Sequence, residues 1–221
     1  WLENLMIKKI IILFKLARKI AKSDILNIVT KFQEPPLAIK FFFKMLSISF
    51  FTKNKIDLNK NEGQRLSDSL ESMGTTFIKL GQFLATRPDI IGENLSKQLE
   101  NLQDKLPPFP LVQAKKIIKN DLGEDTYNSI VNISEPVAAA SIAQVHKAQI
   151  NDKGTLKDVA IKILRPNIKK IFNDEIDAMM LFAFLIESFA KKTKRLKLVE
   201  VVFLLKEITN LEMDLRFEAA A

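Results

Sequence analysis

The sequence contains no cysteine and only one histidine, His146, among its 221 residues. The absence of cysteine excludes a disulfide framework, thiolate metal sites and a cysteine nucleophile. A single histidine excludes a metal site built from several histidines. It also excludes a catalytic triad that uses one histidine and leaves a second one for another role. We therefore interpret His146 as a strand residue and not as a ligand.

Long hydrophobic runs are missing as well. The two most apolar stretches, MIKKIIILFKLARKIAK (6–22) and PPLAIKFFFKMLSISFF (35–51), are both interrupted by lysines. Neither reaches the roughly 18–20 uninterrupted apolar residues of a membrane-spanning helix, and no signal-peptide cleavage site follows the first. The first stretch fits an amphipathic helix. Its basic arc comprises Lys8, Lys15, Arg18, Lys19 and Lys22, and its apolar side Met6, Ile10, Leu13, Phe14, Ala17, Ile20 and Ala21.

The excess positive charge is confined to one end of the chain. Residues 1–60 carry 12 Lys and Arg against 4 Asp and Glu, whereas residues 61–221 carry 22 of each kind. A basic end on a neutral body favours an anionic membrane surface over nucleic acid as the partner. The alternative is a pair of helices that pack on the body and expose a lysine face. We favour interfacial membrane helices because basic residues dominate the polar face.

The remainder of the sequence predicts helices followed by a short sheet. A polar linker (52–63) precedes helical patterns over 64–86, 88–105 and 111–123; Leu95, Leu99 and Leu102 share one side of the second. The prolines of LPPFP (106–110) end it. Strands are predicted over 126–133, 142–150 and 158–165, the last two joined by the turn NDKG (151–154). Helical patterns then cover 167–191 and 197–221.

Lys162 lies in the predicted strand VAIKILRP (159–166), on one face with Ala160 and Leu164. The string is similar to the lysine strand of protein kinases, although alone it is a weak match, and an edge-strand lysine that extends into solvent is the simpler interpretation. In kinases a glycine-rich loop precedes this strand. Here the corresponding stretch, VAAASIAQVH (137–146), contains alanines.

Four strings together resemble the UbiB family, atypical kinase-like proteins linked to ubiquinone biosynthesis. They are FIKLGQFLATRPD (77–89), LQDKLPPFP (102–110), the alanine stretch with VAIKILRP, and EMDLRFEAA (212–220). They occur in the family's order over about 62–221. The resemblance implies ATP or ADP with Mg²⁺ as cofactor in the complete protein, and a peripheral location on the cytoplasmic side of a bacterial inner membrane or an organellar equivalent.

The resemblance also assigns roles to particular residues. It implies that Ala138, Ala139, Ala140, Ser141 and Lys162 bind nucleotide, and that Glu218 is the ion-pair partner of Lys162. It implies further that the family motif Lys79, Gly81 and Gln82 lies over the active cleft, and that the acidic pair Glu212 and Asp214 faces the helix of Lys79. Without it, these charged residues would be interpreted as solvated helix faces.

Two of these assignments have a physical basis in the residues themselves. Glycine would allow loop amides to approach phosphates closely, whereas alanine restricts φ. The alanine stretch is therefore expected to hold nucleotide in a different pose, with weaker or altered contact to the phosphates. Gly81 lies inside a helical pattern, where glycine costs about 1 kcal/mol relative to alanine. A close approach of backbone is expected to compensate.

Some kinase elements are missing from the sequence. After Lys162 the aspartates are Asp174, Asp177 and Asp214, none of which precedes glycine or begins an Asp-x4-Asn pattern. A kinase site needs such residues to hold metal and to orient the acceptor. We therefore expect the C-terminal lobe to be absent. Because the chain starts at Trp1 and ends within a helical pattern, both ends are expected to be edges of a fragment.

The sequence thus predicts an α+β, mostly helical protein with a kinase-like N-terminal lobe. The predicted domains are a membrane-prone region and linker (1–61), a helical extension (62–125) and a small lobe (126–221). The predicted function is ATP binding and hydrolysis in support of ubiquinone biosynthesis at a membrane, inactive in this chain alone. Its expected partners are the anionic membrane, a quinone precursor or biosynthesis proteins, and the missing lobe. The alternatives are a non-catalytic membrane scaffold from a split gene and a basic adaptor with accidental motifs.

Overall fold

The computed structural model describes residues 11–20, 60–100, 102, 104, 106–189 and 197–219. The chain forms two units, each discontinuous in sequence. The helical unit comprises Trp1–Gln103 with Lys170–Leu211, and the sheet unit comprises Asp104–Lys169 with Glu212–Ala221. Among the described residues the protein is mostly helical with one small antiparallel sheet. The boundary at Asp104 falls inside the stretch predicted as the helical extension.

The first described element of the helical unit is α1, the helical residues 11–20. From residue 60 onward the structure describes α2 (Glu62–Met73), α3 (Thr75–Ala85), α4 (Pro88–Ile91) and α5 (Glu93–Leu99). An Asn61–Gln64 capping box starts α2, in which each side chain accepts from the backbone amide of the other. α2, α3 and α5 pack against one another. Their buried apolar side chains are Leu66, Leu70, Met73, Phe77, Ile78, Leu95 and Leu99, and Leu102, which follows α5, is also buried.

The helix predicted over 64–86 is two helices in the structure. Gly74 separates α2 from α3 with φ of 103°, a conformation that glycine adopts without the steric cost of a Cβ atom. The predicted apolar side of the next segment is confirmed, since Leu95, Leu99 and Leu102 are all buried.

α1 packs with a face that only partly matches the predicted apolar side, because buried Ala17 belongs to that side and buried Leu16 does not. Leu16 and Ala17 are buried, and Lys19, placed in the solvated arc by the sequence, donates from Nζ to the Met73 carbonyl at 2.9 Å and to Glu175 at 3.0 Å. Ile11 and Phe14 are about half exposed, at 48% and 50%. The helix period alone cannot show that a lysine will find a carbonyl and a carboxylate on neighbouring helices. The predictions for 1–10 and 35–51 lie outside the described residues.

The sheet unit contains α6 (Leu111–Leu122), α7 (Glu124–Ser129), β1 (Ile130–Val131), β2 (Pro136–Ala139), β3 (Ala143–Asp152) and β4 (Thr155–Leu164). β3 is the central strand, with β4 on one edge and β1 and β2 in succession on the other, all antiparallel. The predicted hairpin is confirmed: Asp152 pairs with Thr155 across a two-residue turn. Lys153 and Gly154 both have positive φ, 52° and 88°, as a type I′ turn requires.

The strand predicted over 126–133 is largely wrong. Residues through Ser129 form α7, and only Ile130 and Val131 pair with β3. Gly123, with φ of 82°, ends α6 and starts α7, whose first turn carries Glu124 and Asp125. Acidic residues at a helix N-terminus interact favourably with the helix dipole. These local signals outweigh the β propensity of Thr126 and Tyr127.

Two long helices complete the chain, α8 (Ile168–Phe189) and α9 (Leu198–Glu212), followed by the short α10 (Leu215–Ala219). The second helical pattern, predicted over 197–221, is therefore interrupted at Met213 and Asp214. None of the described helices is both long enough and apolar enough to cross a bilayer.

Candidate functional site

Lys162 lies on the face of the sheet that points away from the unit's apolar core. Val145 of β3 pairs with Lys162 of β4 on one side and with Ala138 of β2 on the other. Directly paired residues in antiparallel strands project to the same face, so Ala138, Val145 and Lys162 form a row across the sheet. The opposite face carries Ala148 and Ile163, which pack with Phe109, Ala114, Ile118 and Ile130.

The predicted contact between Lys162 and Glu218 is present. Lys162 Nζ lies 2.5 Å from Glu218 Oε2, and both residues belong to the sheet unit. Their side chains are 36% and 61% exposed, so the pair contributes only about 0–1 kcal/mol to stability. Its structural effect is to orient the ammonium group. A nucleotide-binding role for either residue stays a prediction.

Asp214 organises the short helix that carries Glu218. Its Oδ1 accepts from the backbone N–H of Arg216 at 3.2 Å, and the Arg216 guanidinium donates to both carboxylate oxygens at 2.8 and 2.5 Å. These hydrogen bonds from Arg216 lower the pKa of Asp214 to about 2. Asp214 is therefore ionised at neutral pH and stabilises the start of α10. The predicted approach of Glu212 and Asp214 to the helix of Lys79 stays a prediction.

The alanine loop, residues 138–142, starts with the last two residues of β2, Ala138 and Ala139, and its next two backbone amides donate within the protein. The Ala140 N–H donates to the Ala143 carbonyl at 2.8 Å, and the Ser141 N–H donates to Asp104 Oδ1 at 3.0 Å. The alanines are not among the described residues with positive φ, so this conformation does not require glycine. The loop is thus built with fixed internal hydrogen bonds, unlike a glycine loop whose free amides surround a phosphate.

A buried polar network that the sequence did not single out attaches LPPFP to the sheet. Gln144 accepts from the Phe109 N–H at 2.9 Å and donates to the Phe109 carbonyl at 3.1 Å. Its amide nitrogen also lies 2.9 Å from His146 Nε2, while His146 Nδ1 lies 2.8 Å from the Ser134 carbonyl. Since that carbonyl can only accept, the geometry assigns the proton of neutral His146 to Nδ1. His146 is therefore a fully buried structural residue on β3.

Three residues of this unit make contacts that the sequence analysis missed: Gln144, Asp104 and Arg165, whose guanidinium donates to the carbonyls of Leu106, Pro107 and Ala140. The signal for Gln144 was available: it alternates with His146 and Ala148 on the inward side of β3, and a polar group at an inward position needs partners. Asp104 and Arg165 lie outside regular elements, where alternation gives no information.

The motif Lys79, Gly81 and Gln82 lies on α3 in the helical unit. Lys79 is only 9% exposed. A Cβ atom on Gly81 would lie 2.5 Å from a methyl of Leu102 and 2.7 Å from a methyl of Leu70. The close approach expected at Gly81 is thus present, although it is made by side-chain methyls and not by backbone. The proposed action of Lys79 and Gln82 on a nucleotide stays a prediction.

Residues suited to a metal ion are not clustered in the part of the chain that the structure describes. No group of three or more His, Asp or Glu side chains there is placed to hold one. We therefore assign none of the described residues to Mg²⁺.

The fold and these motifs agree with the comparison to protein families, and the chain belongs to the ABC1 atypical kinase-like family. The family's ABC1 atypical kinase-like domain matches residues 101–221. The match covers the alanine loop, the strand of Lys162 and the helix of Glu218. It removes the interpretation of these motifs as accidental.

Curated relatives extend the likeness over most of the chain. A "Probable protein kinase UbiB" of Marinobacter nauticus is 37% identical over 188 residues, 85% of this chain and 33% of that protein. Proteins of the same name from Shewanella baltica and Pseudomonas paraeruginosa are 34% and 31% identical, over 84% and 94% of this chain and 34% and 38% of theirs. The chain therefore spans about a third of the length of these relatives. No solved structure matches it.

Proposed function

We propose that the sheet unit supplies one side of the nucleotide site of an ATP-dependent atypical kinase or ATPase. The observation that supports this most directly is the Lys162–Glu218 pair at 2.5 Å, on an open sheet face beside the alanine loop. In kinases a strand lysine held by a helix glutamate binds nucleotide phosphates. Ala138 and Ala160, on the same face, are small and exposed, so little side-chain bulk covers the sheet there.

ATP would supply the phosphoryl group, and Mg²⁺ would supply the positive charge that neutralises the phosphate oxygens. Lys162 fits a phosphate oxygen because an ammonium on a flexible stem donates up to three hydrogen bonds. Glu218 would orient that ammonium group. The loop would contribute its shape more than its amides, because the N–H groups of Ala140 and Ser141 already have acceptors. Carboxylates for the metal would come from a further lobe, so we expect no lysine-dependent ATP turnover from the 221-residue chain alone.

The binding test uses titration of the full chain with Mg-ATP. Lys162→Met should weaken binding about tenfold or more, because a charge-assisted hydrogen bond to phosphate is lost. Glu218→Gln should have a smaller effect. Lys157→Met is the matched control, since Lys157 lies on the same strand and pairs with Asp152 at 2.6 Å. Equal affinity of Lys162→Met and the wild type would refute the assignment.

We extend the proposal to an anionic membrane surface as partner, and to support of ubiquinone biosynthesis as the role of the whole protein. The supporting observation for the membrane is the outer face of α1, where Ile11 and Phe14 are half exposed next to exposed Lys15. Apolar insertion combined with basic charge is what binds interfacial helices to anionic lipid. A quinone precursor or biosynthesis proteins remain proposed partners on the family resemblance alone.

Vesicle flotation tests the membrane proposal on the full chain. Ile11→Ser with Phe14→Ser should reduce flotation with anionic vesicles, whereas Val112→Ser, at an 81% exposed site of the sheet unit, should not. Equal flotation of both variants would argue against an α1 contact. Retained flotation without any Mg-ATP binding would favour the alternative, a non-catalytic membrane scaffold.

A further inference from the structure

Arg165, the residue directly after β4, connects three segments of the sheet unit. Its Nε donates to the Ala140 carbonyl at 2.9 Å, Nη1 to the Pro107 carbonyl at 3.0 Å and Nη2 to the Leu106 carbonyl at 3.1 Å. Its backbone N–H donates to the Ile142 carbonyl at 2.8 Å. One residue therefore holds two carbonyls of the alanine loop and two of the proline stretch.

The proline stretch is suited to receive these hydrogen bonds. Pro107 and Pro108 have no N–H and have a fixed φ, so the stretch offers carbonyls without competing donors. Burial lowers the pKa of Arg165, against the influence of Asp104, which raises it. A guanidinium remains charged at neutral pH even so. It can therefore form charge-assisted hydrogen bonds with all three carbonyls.

Asp104 completes the arrangement by accepting from the Ser141 N–H at 3.0 Å. The loop is thus held through a carbonyl by a cation and through an amide by an anion. Ser141 and Ile142 are buried, which also differs from a loop tip exposed for ligand capture. A loop held in this way before a ligand arrives loses little conformational freedom on binding.

We propose that Arg165 is a positioning residue, which fixes the alanine loop in the shape that it presents beside Lys162, with Asp104 as its acidic counterpart. The proposal rests on the nucleotide binding proposed above. It implies that the loop is preformed and does not close over the phosphates. Arg165 acts through the loop and does not touch the nucleotide.

Amide hydrogen exchange of the full chain without nucleotide tests the first half of the proposal. Arg165→Met should accelerate exchange of the Ala140 and Ser141 amides by about tenfold or more, because the loop loses its side-chain hydrogen bonds. The amides of the hairpin from Ala148 to Val159 should keep their wild-type exchange rates. Arg165→Lys should restore part of the protection. Arg87→Met is the matched control, an arginine paired with Asp89 in the helical unit. Loop exchange within twofold of the wild type in Arg165→Met would overturn the proposal.

Mg-ATP titration of the same proteins tests the second half. Arg165→Met should bind several-fold more weakly than the wild type, and Arg165→Lys should recover part of the loss. Asp104→Asn is a second, independent variant. Because the amide oxygen of the asparagine can still accept from the Ser141 N–H, exchange of the loop amides should accelerate less than in Arg165→Met. Faster loop exchange with unchanged Mg-ATP affinity would overturn the positioning role. No binding by the wild type would instead overturn the proposed nucleotide function, and the exchange result would still decide whether Arg165 fixes the loop.

Discussion

Replacing Gln144 with leucine is expected to destabilise the sheet unit by about 3–9 kcal/mol, because three buried groups would lose their partners at once. These groups are the N–H and the carbonyl of Phe109 and the Nε2 atom of His146. Each unsatisfied buried group costs about 1–3 kcal/mol, and leucine has nearly the volume of glutamine. The loss is a large fraction of the roughly 5–15 kcal/mol that stabilises a typical domain.

Unfolding of the full chain in urea, followed by amide exchange within β3 and β4, would measure the loss in the free energy of unfolding of the sheet unit. Gln149→Leu is the matched control on the same strand. Gln149 also makes two side-chain hydrogen bonds, to Asn132 and Asp158, but on the exposed surface, where water replaces a lost partner. Its expected cost is below about 1 kcal/mol.

Gln144→Glu separates hydrogen bonding from side-chain volume. A carboxylate can still accept from the Phe109 N–H, but it cannot donate to the Phe109 carbonyl or to His146. Glutamate thus keeps one of the three hydrogen bonds, but it also places a negative charge in the buried site, which is costly without a cationic partner. It should therefore destabilise the unit at least as much as leucine does. A cost below about 1 kcal/mol for Gln144→Leu would mean that water reaches these groups, and the argument for a buried network would be wrong.

Three further predictions concern single positions. Gly63→Ala should destabilise the helical unit by about 1–3 kcal/mol in thermal unfolding, since the new Cβ would collide with Gln98, which now accepts from the Gly63 N–H at 2.7 Å. Gly154→Ala should cost about 1 kcal/mol in the same assay, because a side chain is strained at φ of 88°. The carboxyl of Asp214 should titrate at about 2 by NMR. Its stabilising effect is complete above the ordinary pKa of 3.8 and is lost as the pH falls through 2, and Arg216→Gln should return the pKa toward 3.8.

The parts of the fold that the sequence predicts well depend on neighbouring residues. The β3–β4 hairpin follows from two apolar strand patterns on either side of a turn with glycine, and the two-residue turn sets the register of its pairs. The end of α6 at Gly123 is likewise a local signal. The Lys162–Glu218 contact joins residues 56 positions apart, so only the family resemblance, and no periodic pattern, could predict it.

The parts that the sequence analysis missed depend on distant partners. β2 contains Pro136 and two alanines, residue types that are depleted in strands. It pairs as an edge strand that begins with proline, one of the few positions in a sheet where proline is tolerated. Arg165 lies 25 positions from Ala140 and Asp104 lies 37 positions from Ser141, and nothing in their own neighbourhood in the sequence indicates those contacts.

The discontinuity of the two units has a consequence for synthesis on the ribosome. The hairpin of β3 and β4 can form within microseconds of leaving the exit tunnel, and its partner segment at Phe109 has emerged before it. The ion pair of Lys162, however, cannot form until Glu218 has been translated, and the ribosome makes α8 and α9 between these two residues. For several seconds, at about 5–20 residues per second, the nascent sheet carries a lysine without its carboxylate. Premature termination after α8 would leave it permanently in that state. A truncated product would keep the hairpin while lacking the group that orients its lysine.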